Sequence, residues 1–216
     1  MLNVLRWGNQ QNPDSLIVLC HGVGADASQM ALGPQAWAPA LPGAAFLAPD
    51  APDPFEWGGH GHQWFSLRDR TPAVLDAGAR RAAPKLDATI DTECARLGIR
   101  PHRVAMAGFS QGAMMVLHAG LRRIVPPAAI LAYSGALLET PALAAEVQGH
   151  PPVLLVHGES DDVVPFAHAP QAQATLERLG IPVQTCWCPG TAHHIDDKGL
   201  SAGLAFLRFT LPPARR

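Results

Sequence analysis

Three groups of residues in this chain have the types and spacing to perform nucleophilic chemistry. Ser110 stands in Gly108-Phe109-Ser110-Gln111-Gly112, between the apolar run Val104-Ala105-Met106-Ala107 and a helix-like stretch from Gln111 to His118. A strand that turns sharply into a helix on G-x-S-x-G raises a serine above a sheet as a nucleophile, and the glycines are needed because the turn leaves no room for a Cβ. A serine hydroxyl is a weak nucleophile alone; it needs a general base, and the base needs an orienting carboxylate. Both follow in the sequence. After Val153–Val156 comes His157-Gly158-Glu159-Ser160-Asp161-Asp162-Val163-Val164-Pro165, and after Val183–Trp187 comes Pro189-Gly190-Thr191-Ala192-His193-His194-Ile195-Asp196. By residue type alone, either Asp161 or Asp162 is a candidate orienter and either His193 or His194 a candidate base.

These residues need elements to position them. Leu16–Cys20, Ala44–Ala48, Val104–Ala107, Ala129–Tyr133 and Val153–Val156 are short, nearly continuous apolar runs, and Val183–Trp187 reads as a sixth strand. Amphipathic stretches alternate with them: Leu86, Ile90, Cys94 and Leu97 recur at helical spacing, as do Leu200, Leu204, Leu207 and Leu211. The pattern predicts an α/β fold, a mostly parallel central sheet with helices on both faces and a ligand site outside the carboxyl ends of the strands. The serine, the acid and the histidine all fall at such ends. Their chain order, Ser then acid then His, is that of α/β-hydrolases, unlike the orders of the chymotrypsin and subtilisin types.

Acyl transfer also calls for donors to an oxyanion. The backbone N–H of Gln111, just after the nucleophile, is one candidate. The segment His21-Gly22-Val23-Gly24-Ala25 follows an early strand, and its Val23 N–H is the second.

Four motifs in order, His21-Gly22-Val23-Gly24-Ala25, Gly108-Phe109-Ser110-Gln111-Gly112-Ala113, His157-Gly158-x-x-Asp161-x-x-Val164-Pro165 and Gly190-x-x-His193-x-Ile195, resemble the phospholipase/carboxylesterase family of α/β-hydrolases, which includes acyl-protein thioesterases and small bacterial carboxylesterases. The resemblance runs from about residue 16 to 209. It implies a Ser110–Asp161–His193 triad, with Asp162 at a variable position. His194 stands where a small residue is common, and Ala192 where Gly is usual. It further implies a serine carboxylesterase acting on short- to medium-chain acyl esters, with a thioesterase or lysophospholipase for long acyl chains as the alternative. A non-catalytic binding module on the same fold is a remote second class, disfavoured because all three triad residues are present.

Pro49 to Asp69 breaks the alternation. No regular element is evident there, yet Phe55, Trp57, Trp64 and Phe65 stand among glycines and histidines. A long aromatic loop of this kind is expected to fold over the sheet edge and line a substrate cleft. Trp57, Trp64, Phe65, Val163 and Val164 are accordingly the expected substrate-binding residues, and Met30 is a further candidate to face the cleft.

Composition excludes other classes. The chain has 216 residues, 48% hydrophobic and 16% charged, with a net charge of −2. It lacks the basic excess of a nucleic-acid binder and any apolar run long enough to span a membrane. One domain over residues 1–216 and a cytoplasmic location are expected, since no basic segment followed by a long apolar run opens the chain. The partners expected are small acyl esters or thioesters, and the resemblance allows a homodimer. Four scattered cysteines are read as buried thiols; Cys186 and Cys188 share one face of their strand. His60-x-His62 has no third ligand nearby, so no metal is expected, and no nucleotide-binding glycine motif follows a strand, so no cofactor is either. His21 and His157 are expected to bond loop backbone.

Overall fold

The computed structural model describes residues 2–212. Among the described residues nine strands form a sheet of seven and a separate hairpin: β1 (Val4–Gly8), β2 (Ser15–Cys20), β3 (Ala44–Pro49), β6 (Val104–Phe109), β7 (Ala129–Tyr133), β8 (Val153–Gly158) and β9 (Val183–Cys188) lie in the order β1-β3-β2-β6-β7-β8-β9, and β4 (Asp53–Pro54) pairs with β5 (His62–Gln63). All neighbours in the large sheet run parallel except β1, which is antiparallel to β3. The five apolar runs of the sequence and the sixth expected strand, Val183–Trp187, are the six parallel strands. β1 escapes pattern reading because it is a half-exposed edge strand of mixed polarity, and its Arg6 reaches across to a bidentate pair with Glu93 at 2.9 and 3.0 Å.

Alternation along β2 shows why the central strands read as continuous apolar runs. Leu16, Val18 and Cys20 face one layer of core and Ile17 and Leu19 the other, all essentially without solvent exposure. The first layer lies under α2 (Pro72–Leu97), α3 (Gln111–Arg122), α4 (Leu143–Glu146) and α5 (His168–Arg178). The second lies under α1 (Leu32–Trp37) and α6 (Asp197–Thr210). Pro72 at its first turn starts α2, where a missing N–H costs nothing, and Gly98 in a left-handed conformation ends it. No helix among the described residues is long and apolar enough to cross a membrane.

The segment from Pro49 to Asp69 differs from its sequence reading. It contains the β4–β5 hairpin, and its Trp64 and Phe65 are each only 1% exposed. They are packed into the α2/α3 layer, with Phe65 against Gly78 of α2. Side chains sunk that deep on this side of the sheet cannot wall an open cleft.

Candidate active site

The turn between β6 and α3 holds Ser110 at φ 56°, ψ −118°, one of two described non-glycine residues with positive φ. Such a conformation costs on the order of 1–3 kcal/mol and persists only where the surroundings enforce it. Here they do. A Cβ on Gly108 would sit 2.3 Å from the Gly112 carbonyl oxygen, and one on Gly112 would sit 2.0 Å from that of Cys20, so β6, α3 and β2 close on one another around the turn. The Ser110 N–H donates to the Tyr133 carbonyl at 2.9 Å, which fixes the turn to the next strand.

Two other strand ends converge on this serine. His193, in the loop after β9, places Nε2 3.0 Å from Ser110 Oγ and Nδ1 2.8 Å from Asp161 Oδ2. With Nδ1–H donating to the carboxylate, Nε2 is left as the acceptor for the hydroxyl proton. The other carboxylate oxygen, Oδ1, accepts the N–H groups of Val163 at 3.0 Å and Val164 at 2.8 Å. Burial pushes the Asp161 carboxyl up, but the hydrogen bonds from His193, Val164 and Val163 outweigh it and leave its pKa below the usual carboxylate value. Asp161 therefore stays ionised beside the imidazole. Asp162 is exposed, and His194 turns to the cavity instead of the hydroxyl.

Less obvious residues hold these three in place. His157 donates from Nε2 to the Val164 carbonyl at 2.8 Å, steadying the acid loop, and burial lowers its pKa. Asp196 accepts from Thr191 Oγ1 at 2.7 Å and from Gly199 N–H at 2.7 Å, so it caps α6 and pins the loop that carries His193. The Phe109 ring lies 4.8 Å from that of His193. Thr191 and Asp196 have no motif signal of their own, although an Asp just before the Leu200 periodicity is an N-cap signature. His21 also bonds loop backbone, as its place before a glycine suggests: its ring contacts the Gly22 carbonyl at 2.7 Å and the Ala51 N–H at 2.9 Å.

A cavity of about 540 Å³ opens beside Ser110. Met30, Leu32, Trp37, Tyr133, Ile195 and Leu200 give it an apolar lining, and Val23, Val163 and His193 border it as well. Of the five expected substrate-binding residues only Val163 lies in the lining, together with the further candidate Met30. Val164 is turned inward, 8% exposed, with its N–H on Asp161. Trp57 is 54% exposed and stacks edge-on against Phe55, outside the lining. The cavity belongs to the α1/α6 layer, opposite to the one that holds Trp64 and Phe65. Neither the Val23 nor the Gln111 N–H donates to any group among the described residues. No group of three His, Cys, Asp or Glu side chains among the described residues could hold a metal ion. Cys186 and Cys188 do share a face, with sulfurs 4.0 Å apart.

Sheet order, strained serine turn and the acid and histidine loops together define an α/β-hydrolase. Residues 8–211 match the family model described as Phospholipase/Carboxylesterase, and the chain belongs to that family. It is 29% identical to esterase YpfH of Escherichia coli over 206 residues, 94% of this chain and 87% of that one. It is 36% identical over 121 residues to acyl-protein thioesterase 1 of Gibberella zeae, a match spanning about half of each chain. Among solved structures, esterase PE8 superposes with a TM-score of 0.92 at 38% identity, covering 97% of this chain and 99% of that one. SOBER1 of Arabidopsis thaliana, at 23% identity and a TM-score of 0.81 over 92% of this chain, shares the fold.

Proposed function

We propose that this protein is a serine carboxylesterase that hydrolyses short- to medium-chain acyl esters through an acyl-enzyme on Ser110. The observation that carries this reading is the unbroken Ser110–His193–Asp161 hydrogen-bonded chain at 3.0 and 2.8 Å, opening on an apolar cavity. Esterase names among the relatives agree with it.

In the reaction, His193 Nε2 takes the Ser110 proton as Oγ attacks the ester carbonyl. Asp161 holds the Nδ1–H tautomer and stabilises the imidazolium. The carbonyl oxygen, now negative, is received by the free N–H groups of Val23 and Gln111, and one such donor contributes roughly 3 kcal/mol to the transition state. Collapse of the tetrahedral intermediate expels the alcohol, which leaves with the proton from His193. Water then attacks the acyl-serine by the same sequence and frees the acid. The acyl chain fits the cavity, whose volume lies within the roughly 300–1,000 Å³ of small-molecule sites. Trp37 and Tyr133, both nearly fully buried, are bulky walls there and favour shorter chains.

A panel of p-nitrophenyl esters of increasing acyl length, acyl thioesters and lysophospholipids, assayed on wild type and Ser110→Ala, tests this. The expected result is highest kcat/KM for short to medium esters and a loss of several orders of magnitude in the variant. Most activity surviving in Ser110→Ala would remove Ser110 as nucleophile. A steep preference for long-chain thioesters would move the reading to a thioesterase.

A further inference from the structure

The most aromatic segment of the chain lies outside the cavity but against both oxyanion donors. β2 runs directly into residues 21–25, which carry Val23. Trp64 donates from its indole N–H to the His21 carbonyl at 2.9 Å. The Gly24 N–H donates to the His62 carbonyl at 2.8 Å, and the His62 N–H to the Ala25 carbonyl at 2.8 Å. These two bonds form an antiparallel bridge between Ala25 and His62 at the end of the turn. The approach is so close that a Cβ on Gly61 would fall 2.0 Å from the Gly24 carbonyl oxygen.

Inside the same turn, the His21 ring has only one workable protonation. Nε2 accepts the Ala51 N–H, so the proton sits on Nδ1 and is donated to the Gly22 carbonyl. Burial agrees, lowering the His21 pKa below the ordinary histidine value.

The second donor is held by the same segment. Gln111, 1% exposed, uses its side chain as a short ladder: Oε1 accepts the Trp64 N–H at 2.9 Å and Nε2 donates to the Phe65 carbonyl at 2.7 Å. The residue whose backbone N–H faces the oxyanion position is thereby clamped to the residue whose indole holds the other donor's loop.

We propose that Trp64 and the Gln111 side chain are positioning residues that set the spacing between the Val23 and Gln111 N–H groups, making the 51–65 segment the backing of the oxyanion site. This rests on the acyl-transfer reading of Ser110. Preorganised donors stabilise developing charge only if they already stand where it forms, and a small misplacement from outside the reacting centre can cost on the order of a hundredfold in rate.

Trp64→Phe keeps an aromatic ring and deletes the indole N–H; Gln111→Met keeps the length and deletes both ladder bonds, while the backbone N–H of residue 111 remains. For each, kcat on a good ester substrate is expected to fall about tenfold to a hundredfold with KM within threefold of wild type. The inhibition constant of an alkyl trifluoromethyl ketone, which forms a hemiketal oxyanion on the serine, is expected to rise by the same factor. Ile90→Val, a mild core truncation in α2, serves as a stability control: it should lower Tm and leave both readouts alone. If both variants keep kcat and the ketone constant within twofold of wild type, the positioning role is overturned whatever their Tm. Ser110→Ala separates the two failures. An inactive Ser110→Ala beside wild-type-like Trp64 and Gln111 variants sinks only the positioning role; an active one sinks the nucleophile assignment beneath it.

Discussion

Two regions flank Ser110, and they invert what their compositions suggest. The 49–69 segment holds Phe55, Trp57, Trp64 and Phe65, yet contributes nothing to the cavity lining; Trp64 and Phe65 are sealed into the α2/α3 layer. Around α1 and the start of α6 the sequence marks only Met30 for the cleft, yet Leu32, Trp37, Ile195 and Leu200 from these segments line the cavity beside it. The difference follows from which side of the sheet each connection crosses. Aromatic side chains supply buried area wherever they are placed. Whether that area becomes core or pocket depends on the neighbours: Gly78 of α2 makes room for Phe65, whereas α1 and α6 leave a gap over Leu19 and Ala107.

The largest expected effect lies on the cavity side, between adjacent histidines. His193→Ala removes the group 3.0 Å from Ser110 Oγ and should lower kcat by about ten-thousandfold, while His194→Ala, at the cavity wall, should change it less than tenfold. Steady-state kinetics on one ester checks both. The reverse ranking would mean that the geometry around Ser110 misidentifies the base.

Next come truncations that pit the two sides against each other. Trp37→Ala enlarges the cavity and should shift the acyl-length optimum towards longer chains. Phe65→Ala opens space only in the opposite layer, so it should cost about 3–5 kcal/mol of stability and leave the length profile unshifted. Denaturant melts together with the ester panel separate these outcomes. A changed length preference in Phe65→Ala would put the aromatic segment back in contact with substrate.

Much of this was legible in the residues. Five of the six parallel strands are doubly buried and so carry unbroken apolar runs, while the edge strand β9 is half exposed and mixed in polarity. The strand ends with Ser110, Asp161 and His193 carry polar residues that a core would not tolerate without partners. Three features were not legible, each for its own reason. β1 is half exposed, so its pattern resembles a loop. The Gln111 side chain looks like any helix N1 residue until Trp64 and Phe65 are folded against it. The layer that receives Trp64 and Phe65 is decided by tertiary packing, since a hairpin two residues per strand has too little alternation to mark an inner face.

The smallest effect concerns acid and belongs to the α2/α3 side. His118 of α3 is 2% exposed, with Nδ1 3.5 Å from Asp76 Oδ1 and with Arg122, Arg80 and Glu146 around it. Burial lowers its pKa to about 4, and the nearby Arg122 works in the same direction. Because the folded pKa lies below that of the unfolded chain, the unfolded chain takes up the proton first. The neutral ring's contribution is therefore complete above roughly pH 6.5 and is lost progressively as pH falls towards 4, amounting to on the order of 3 kcal/mol. His118→Gln should flatten this limb of a stability-against-pH curve measured by urea melts, whatever its offset at neutral pH. The cavity lies in the other layer, so the acyl-length profile should not change between pH 7 and 5 in either protein. An unaltered acid limb in His118→Gln would assign the loss of stability to other groups. A length profile that changed with the same midpoint would mean that the two layers are coupled through α3, which carries His118 on the helix that begins at the serine turn.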